Sequence, residues 1–287
     1  MICIYHSKDL DGYCSGAIMK RKFPEAKLIG YDYGQPLPEL ERGEEVMMAD
    51  VSLPMPIMVK VAENTGWKFT WIDHHASAIK DYKELVGQGE SFCRAVLEDG
   101  ISACEGAWKY LFPNEQIPTA VKLLGKYDTW RNQDKFEWDN AIMPFQYGMR
   151  MICSSAETFP PELFEMPAIV TDSPVYGIIN TGKSILEYQK VQNERACRCA
   201  FEMEFEGLRA IALNNGGANS QVFESVYDES KHDIMMPFVF TGKHWTFSMY
   251  TTKDNVDCSV IAKKHGGGGH KKAAGFQVKE LSEIIKQ

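Results

Sequence analysis

No apolar stretch in this 287-residue chain approaches the roughly 20 residues that a membrane helix needs. The eight cysteines never form a Cys-x-x-Cys pair; Cys197 and Cys199 are the closest. Neither a structural zinc site nor a disulfide framework is therefore indicated, and the thiols read as reduced. Positive charge is also short: 31 Lys and Arg face 39 Asp and Glu, a formal net charge of −8. That balance argues against a long electrostatic groove for duplex nucleic acid. No internal repeat or low-complexity segment stands out. What remains, with 44% hydrophobic and 24% charged residues, is the composition of an ordinary globular protein of one large or two ordinary domains. The chain opens directly in a strand-like run that carries a motif, so no leader is expected, and a cytoplasmic location without a membrane partner is.

Three apolar runs end in polar, metal-competent residues. Phe69 to Ile72 ends in Asp73-His74-His75; Ile2 to Tyr5 leads into His6, Asp9 and Asp11; Val46 to Ala49 leads into Asp50. Such runs read as strands of a covered sheet. Helical stretches between them (Tyr13 to Lys22 after Gly12, and Pro54 to about Glu63) indicate βαβ units, and Lys27 to Tyr33 adds a further strand. The expected fold is α/β, a doubly wound parallel sheet followed by a second, smaller α/β domain. Ser102 and Glu105 form a capping box ahead of a helix, and Pro118 opens another that runs to Asp128. The Met- and Pro-rich stretch from Asn140 to Pro167 shows no clear period. A long polar helix is expected over Gly182–Glu204 as a connector. Strand character then returns at Leu208–Leu213, Met236–Phe240 and Trp245–Tyr250, with a short helix at Ser259–Lys264 and a last strand-like run at Phe276–Val278. The expected boundaries are a first domain over 1–181, a connector over 182–206 and a second domain over 207–287.

Ligands in open α/β sheets bind beyond the carboxyl ends of the strands, which is where these carboxylates and imidazoles fall. A single Asp before a helix is commonly only a cap, and Asp50 or Asp128 alone is weak. Two adjacent histidines with a carboxylate at a strand end are harder to explain as core. Together the positions supply enough donors for two cations, and imidazole mixed with several carboxylates suits Mn²⁺, with Mg²⁺, Co²⁺ or Zn²⁺ as alternatives. Two ions about 3.5–4 Å apart can generate a hydroxide and clamp a phosphoryl oxygen during in-line displacement. A second constellation, Lys263-Lys264-His265 followed by Gly266 to Gly269 and His270-Lys271-Lys272, places glycines among cationic side chains. Backbone N–H groups there could approach an anion closely, which fits capture of a small phosphorylated ligand.

In this order the motifs resemble the DHH phosphoesterase family with its DHH-associated C-terminal domain, in the branch of the nanoRNase/pAp-phosphatases and exopolyphosphatase-related proteins. The likeness spans nearly the whole chain and rests on HSKDLDG (6–12), the aspartate of MMADVS (47–52), DHHAS (73–77), the aspartate of KYDTW (126–130) and GGGGHKKAAGF (266–276). It implies an Mn²⁺-dependent hydrolase of phosphoester or phosphoanhydride bonds with its site in a cleft between two domains. One ion would be held by His6, Asp9 and Asp50 and the other by Asp11, Asp50, His74 and Asp128, with Asp50 bridging. His75 would contact the scissile phosphate, and Asp73 would orient a neighbouring imidazole. The resemblance thus makes Asp50, Asp73, His74 and His75 the catalytic group. Gly267, Gly268, Gly269, His270 and Lys271 would bind the substrate's phosphate or nucleotide end. Two departures stand out: only two residues separate His6 from Asp9, and Tyr250 stands where relatives that cleave short oligonucleotides often carry an Arg, with Lys253 nearby. As a substrate-binding residue Tyr250 could stack on a base or donate one hydrogen bond, but it cannot make the bidentate phosphate contact of Arg.

Short oligonucleotides or small phosphorylated nucleotides are the expected substrates, with cyclic dinucleotides and polyphosphate as alternatives. A nucleotide-binding regulator without turnover is the non-enzymatic alternative; every acidic position of the expected metal site being present weighs against it. Oligomeric state is left open, a homodimer among the options.

Overall fold

The computed structural model describes residues 1–87, 89, 91–165 and 168–285; Met166 and Pro167, at the end of the Met- and Pro-rich stretch, and residues 286–287 of the expected second domain lie outside the described residues. Two compact units, Met1–Leu186 and Glu187–Gln287, make up the chain.

The first unit is built on strands β1 (Ile2–His6), β2 (Lys27–Tyr31), β3 (Val46–Ala49), β4 (Phe69–Asp73) and β5 (Arg94–Leu97). All pair in parallel, in the order β2-β1-β3-β4-β5. In the central strands every residue of β3 and the first four of β1 are buried, as a sheet covered on both faces requires. Their side chains alternate between two cores. Cys3, Tyr5, Met47, Ala49 and Ile72 join one, with helices α1 (Leu10–Lys22), α4 (Ala103–Leu111) and α5 (Thr119–Asp128). Ile2, Ile4, Val46, Met48 and Trp71 join the other, with α2 (Met55–Asn64) and α3 (Ala76–Val86). Helices on both faces make this the doubly wound fold that the strand pattern predicts. The order reverses between β1 and β3, the switch point beside which such sheets bind ligands.

Helix α3 and strand β5 are additions to the sequence reading. After the one-turn α6 (Lys135–Glu137), a π-helical turn over Trp138–Ile142 runs into α7 (Met143–Ile152). A π-bulge changes the helical repeat, which is why no single period fits this stretch.

The predicted helix over Gly182–Glu204 is displaced. Helix α8 runs from Pro174 to Ala196, with the Ser173 hydroxyl accepting the Tyr176 N–H at its start. Phe201–Phe205 is instead β6, whose Phe-Glu-Met-Glu-Phe alternation has the period of a strand with one buried face. With β7 (Leu208–Asn214), β8 (Ile234–Phe240), β9 (Trp245–Tyr250), β10 (Gly268–His270) and β11 (Ala273–Val278) it forms a six-stranded sheet in the order β10-β11-β9-β8-β7-β6. Only β7 and β8 pair in parallel. Phe247, Met249 and Phe276 meet α9 (Cys258–Lys264) on one face, and Ile211, Leu213 and Met235 pack with Val222 and Phe223 on the other.

Candidate metal centre

Beyond the carboxyl ends of β1, β3 and β4 the first unit gathers every predicted metal-ligand residue. Among the described residues, three groups have donor atoms within 4.8 Å of one another: His6, Asp9 and Asp50; Asp11, His74 and Asp128; and Asp50, Asp73, His74 and His75.

Asp9 does two jobs at once. Its Oδ1 accepts the Gly12 N–H at 2.9 Å and caps α1, while its Oδ2 lies 2.7 Å from His6 Nδ1. The helix starts at Leu10, earlier than the sequence suggests, and Gly12 sits inside its first turn. A side-chain carbon at Gly12 would lie 2.0 Å from the His6 carbonyl oxygen, so only glycine lets α1 pack this closely on the end of β1. Asp11, fully enclosed, accepts the backbone N–H groups of Ala103 and Cys104, both at 2.9 Å. These are orphan donors at the N-terminus of α4.

Asp50 directly follows β3 with φ of +60°, a left-handed conformation uncommon outside glycine, and is only 3% exposed. Its two oxygens face opposite ways: Oδ2 is 3.5 Å from His6 Nδ1, and Oδ1 is 3.4 Å from His74 Nε2. His74 Nε2 also lies 3.7 Å from Asp11 Oδ2 and 3.3 Å from Asp128 Oδ2.

Asp73 serves the histidines beside this set. Its Oδ1 accepts the backbone N–H groups of His74 (2.7 Å) and His75 (3.2 Å) and lies 2.6 Å from His75 Nδ1; its Oδ2 accepts from the Ser52 hydroxyl. Burial pushes the Asp73 carboxyl up, but these hydrogen bonds, that of His75 foremost, win and hold it below the usual carboxylate range. The ionised carboxylate can only accept, so His75 Nδ1 carries the proton and Nε2 is the ring atom available to a ligand.

Electrostatically the cluster is built around missing positive charge. Burial, then the neighbouring Asp50 and Asp128 charges, raises Asp11 well above the carboxylate range, and burial raises Asp128 to about 6. His6 rises to about 10 through its hydrogen bonds to Asp50 and Asp9. At His74 burial opposes protonation, yet Asp50, Asp11 and Asp128 still raise it to about 9. Buried carboxylates that hold imidazoles protonated are a donor set that divalent cations fit: the cation replaces the protons and offsets the carboxylate charge.

Several residues that fix this geometry escaped the sequence reading. Tyr33 accepts the Ser52 N–H at 3.0 Å, and Trp71 Nε1 donates to the Val51 carbonyl at 2.9 Å, anchoring the segment after Asp50. Glu105 closes the capping box with Ser102 and also receives Arg131, pinning the end of α5, and with it Asp128, to the start of α4, where Asp11 is held. The capping box is visible in the sequence; its partner Arg131 is not.

The second unit differs from the expected anion cradle. Gly266 and Gly267 donate their N–H groups to the Lys263 (3.1 Å) and Ala262 (2.8 Å) carbonyls and so close α9. Gly268, Gly269 and His270 form the edge strand β10, joined to β11 by the turn Lys271-Lys272. A side-chain carbon at Gly267 would meet the Gly275 carbonyl oxygen at 2.1 Å, and one at Gly269, with φ of +138°, would meet the Ala274 backbone at 2.6 Å; these two glycines serve close packing of the hairpin. His265 stacks on Phe276 and, with Lys264, pairs with Glu206; Lys272 pairs with Asp254, and Lys253 with Asp233. The side chains of His270 and Lys271 are exposed, without hydrogen bond or ion pair among the described residues. Tyr250, opposite Ala273 on β9, is half-buried against the Val222–Phe223 core.

Among known proteins, the DHHA1 domain family matches residues 209–287. An uncharacterized protein of Acanthamoeba polyphaga mimivirus is 25% identical over 250 residues, 82% of this chain and 53% of that protein, so this chain spans about half the length of the curated relative it matches. Of solved structures, the pGpG-specific phosphodiesterase PggH from Vibrio cholerae is similar with a TM-score of 0.59 at 12% identity, over 98% of this chain and 94% of that one. The DHH domain of a protein described as a member of a family of ribosomal proteins has a TM-score of 0.53 at 15% identity, over 96% and 81% of the two chains.

Proposed function

We propose that this chain, whose residues 209–287 match the DHHA1 domain family, is a DHH-family phosphoesterase that hydrolyses phosphodiester bonds of short oligonucleotides or small nucleotides with two divalent cations, Mn²⁺ foremost. The observation that carries this reading is Asp50: one buried carboxylate whose oxygens face His6 on one side and His74 on the other. His6, Asp9 and Asp50 would hold one cation; Asp11, Asp50, His74 and Asp128 would hold the second. When bound, such a pair supplies an activated water at neutral pH and neutralises charge on the phosphoryl oxygens. The chain's own groups do the rest. Asp73 keeps the proton on His75 Nδ1 and directs Nε2 toward the phosphate, as a carboxylate behind a histidine commonly does. The N-terminal N–H groups of α4 fix Asp11, so the carboxylate needs no reorganisation when the substrate arrives. On the second unit, His270 and Lys271 carry the unpaired side chains suited to a substrate's phosphate end.

The likeness to a pGpG-specific phosphodiesterase makes linear dinucleotides the substrates to try first. Incubation of a 5′-phosphorylated RNA dinucleotide with protein and Mn²⁺, separated by chromatography beside an Asp50→Ala control, should release mononucleotides with the wild type alone. No product from linear or cyclic dinucleotides or from a generic diester would defeat the reading.

A further inference from the structure

We infer that Trp130 is a platform on which a nucleobase of the substrate stacks, making it a specificity-determining residue of the proposed site. This deepens the phosphodiesterase reading and rests on it. Trp130 stands two residues beyond the cluster carboxylate Asp128, within about 7 Å of chain. It is 63% exposed, although a free indole of this size is a large apolar surface to leave in water.

The backbone holds it there against local preference. Trp130 has φ of +54°, at the position just past α5 where glycine is the usual choice. The Arg131 N–H donates to the Lys126 carbonyl at 2.9 Å and closes the turn, and the Arg131 guanidinium is locked onto Glu105. A bulky residue kept in a sparsely populated conformation beside a reactive cluster points to a functional demand. The ring is also fixed in orientation: Trp138 packs against it at 66° and 4.9 Å, and Tyr127 stacks parallel on Trp138. Arg150 lies over Tyr127 and Tyr147, at 5.7 and 5.0 Å, and forms no ion pair with a carboxylate among the described residues. An open aromatic face two residues from a carboxylate of the cluster matches the base and phosphate of a nucleotide. Stacking tolerates any base because every base has a π-face.

Trp67 provides the internal control. It is also exposed (59%) with φ of +67°, but it precedes β4, at the opposite end of the strand from Asp73. It borders an apolar cleft of Val59, Leu85 and Phe92.

The test is steady-state kinetics with Mn²⁺ on a 5′-phosphorylated dinucleotide and on its abasic analogue. Trp130→Ala should raise KM for the dinucleotide roughly five- to 150-fold, the value of one base–aromatic stack, with kcat held. KM for the abasic analogue should not move, and Trp130→Phe should restore most of the affinity. Trp130→Gly, which relieves the backbone strain, should behave like Trp130→Ala and secures the result against misfolding. Trp67→Ala should match the wild type. Equal losses on both substrates, or no change on either, would overturn the stacking role while leaving the phosphodiesterase reading intact. A wild type inert toward every nucleotide would overturn both.

Discussion

Asp50 and His74 meet across the parallel strands β3 and β4, with Asp50 Oδ1 3.4 Å from His74 Nε2, while the other oxygen of the same carboxylate reaches His6. One side chain thereby joins two candidate ligand groups that lie far apart in the sequence. Replacing it should disconnect them. Asp50→Ala is expected to reduce turnover to background, and Asp50→Gly, which the positive φ favours, should do the same without cost in folding. Circular dichroism and the thermal shift on adding Mn²⁺ are the checks; a folded variant that keeps near-wild-type rate would falsify the bridging assignment.

Metal binding should depend steeply on pH. His6, His74, Asp11 and Asp128 all have raised pKa values in the metal-free protein. Groups raised in the folded state stabilise it below their unfolded pKa and lose that contribution as pH rises through the folded value. The metal-free Tm should therefore decline from about pH 4 upward, where unfolded carboxyls titrate, and through the His74 and His6 values of about 9 and 10. A cation needs the imidazoles deprotonated. Calorimetry in buffers of different ionisation enthalpy should thus show proton release on Mn²⁺ binding near neutral pH, and the Mn²⁺-induced rise in Tm should widen as pH climbs toward the His74 value of about 9. A pH-independent shift with no proton release would contradict this electrostatic account.

Asp73→Asn should separate orientation from metal binding. The side chain retains its place, and its oxygen can still accept the two backbone N–H groups and His75 Nδ1–H, but the negative charge that favours a protonated His75 is gone. The pKa of His75, raised chiefly by Asp73, should fall when followed by NMR, and the rate should drop about 10- to 100-fold, the usual effect of removing an orienting partner. Mn²⁺ affinity should change less than in Asp50→Ala.

The ion pair between Arg131 and Glu105 is a structural strut with a functional consequence. Arg131→Met leaves a nearly buried carboxylate without its partner, which should cost about 2–4 kcal/mol, near the lower part of the range for breaking a buried pair. The double variant Arg131→Met/Glu105→Gln should recover part of that stability in denaturant titrations. Recovery of stability without recovery of rate would show that the strut positions Asp128 and Asp11 as well as holding the fold.

His270→Ala should raise KM for phosphorylated dinucleotides more than for a chromogenic diester that lacks a nucleotide end. Equal effects on the two would assign the exposed hairpin of β10 and β11 no part in recognising the substrate.

Strands β1 to β4, helices α1, α2, α4 and α5 and the carboxyl-end location of the cluster are legible in the sequence, whereas α3 and β5 are not. Each legible feature rests on local physics: continuous apolar runs, helix caps, and polar residues where a strand stops. The capping box of Ser102 and Glu105 is of the same kind. Strand β6 was legible too, through its two-residue alternation, but adjoins a helical pattern that masked it; β10 is a three-residue, glycine-rich edge without any pattern. Long-range partners leave no periodic trace. Nothing local pairs Arg131 with Glu105 or turns Asp11 onto the N–H groups of α4. Residue type and element boundaries are local properties, so the chain read in one dimension already specifies which residues could ligate a metal and at which strand ends they emerge. The resemblance implies a bridging Asp50 and an Asp73 that orients an imidazole; which oxygen faces which histidine, that the imidazole is that of His75, and that Trp130 stands exposed two residues past Asp128 come from the folded arrangement. Those relations depend on which strands are neighbours and on where buried charge finds its partner.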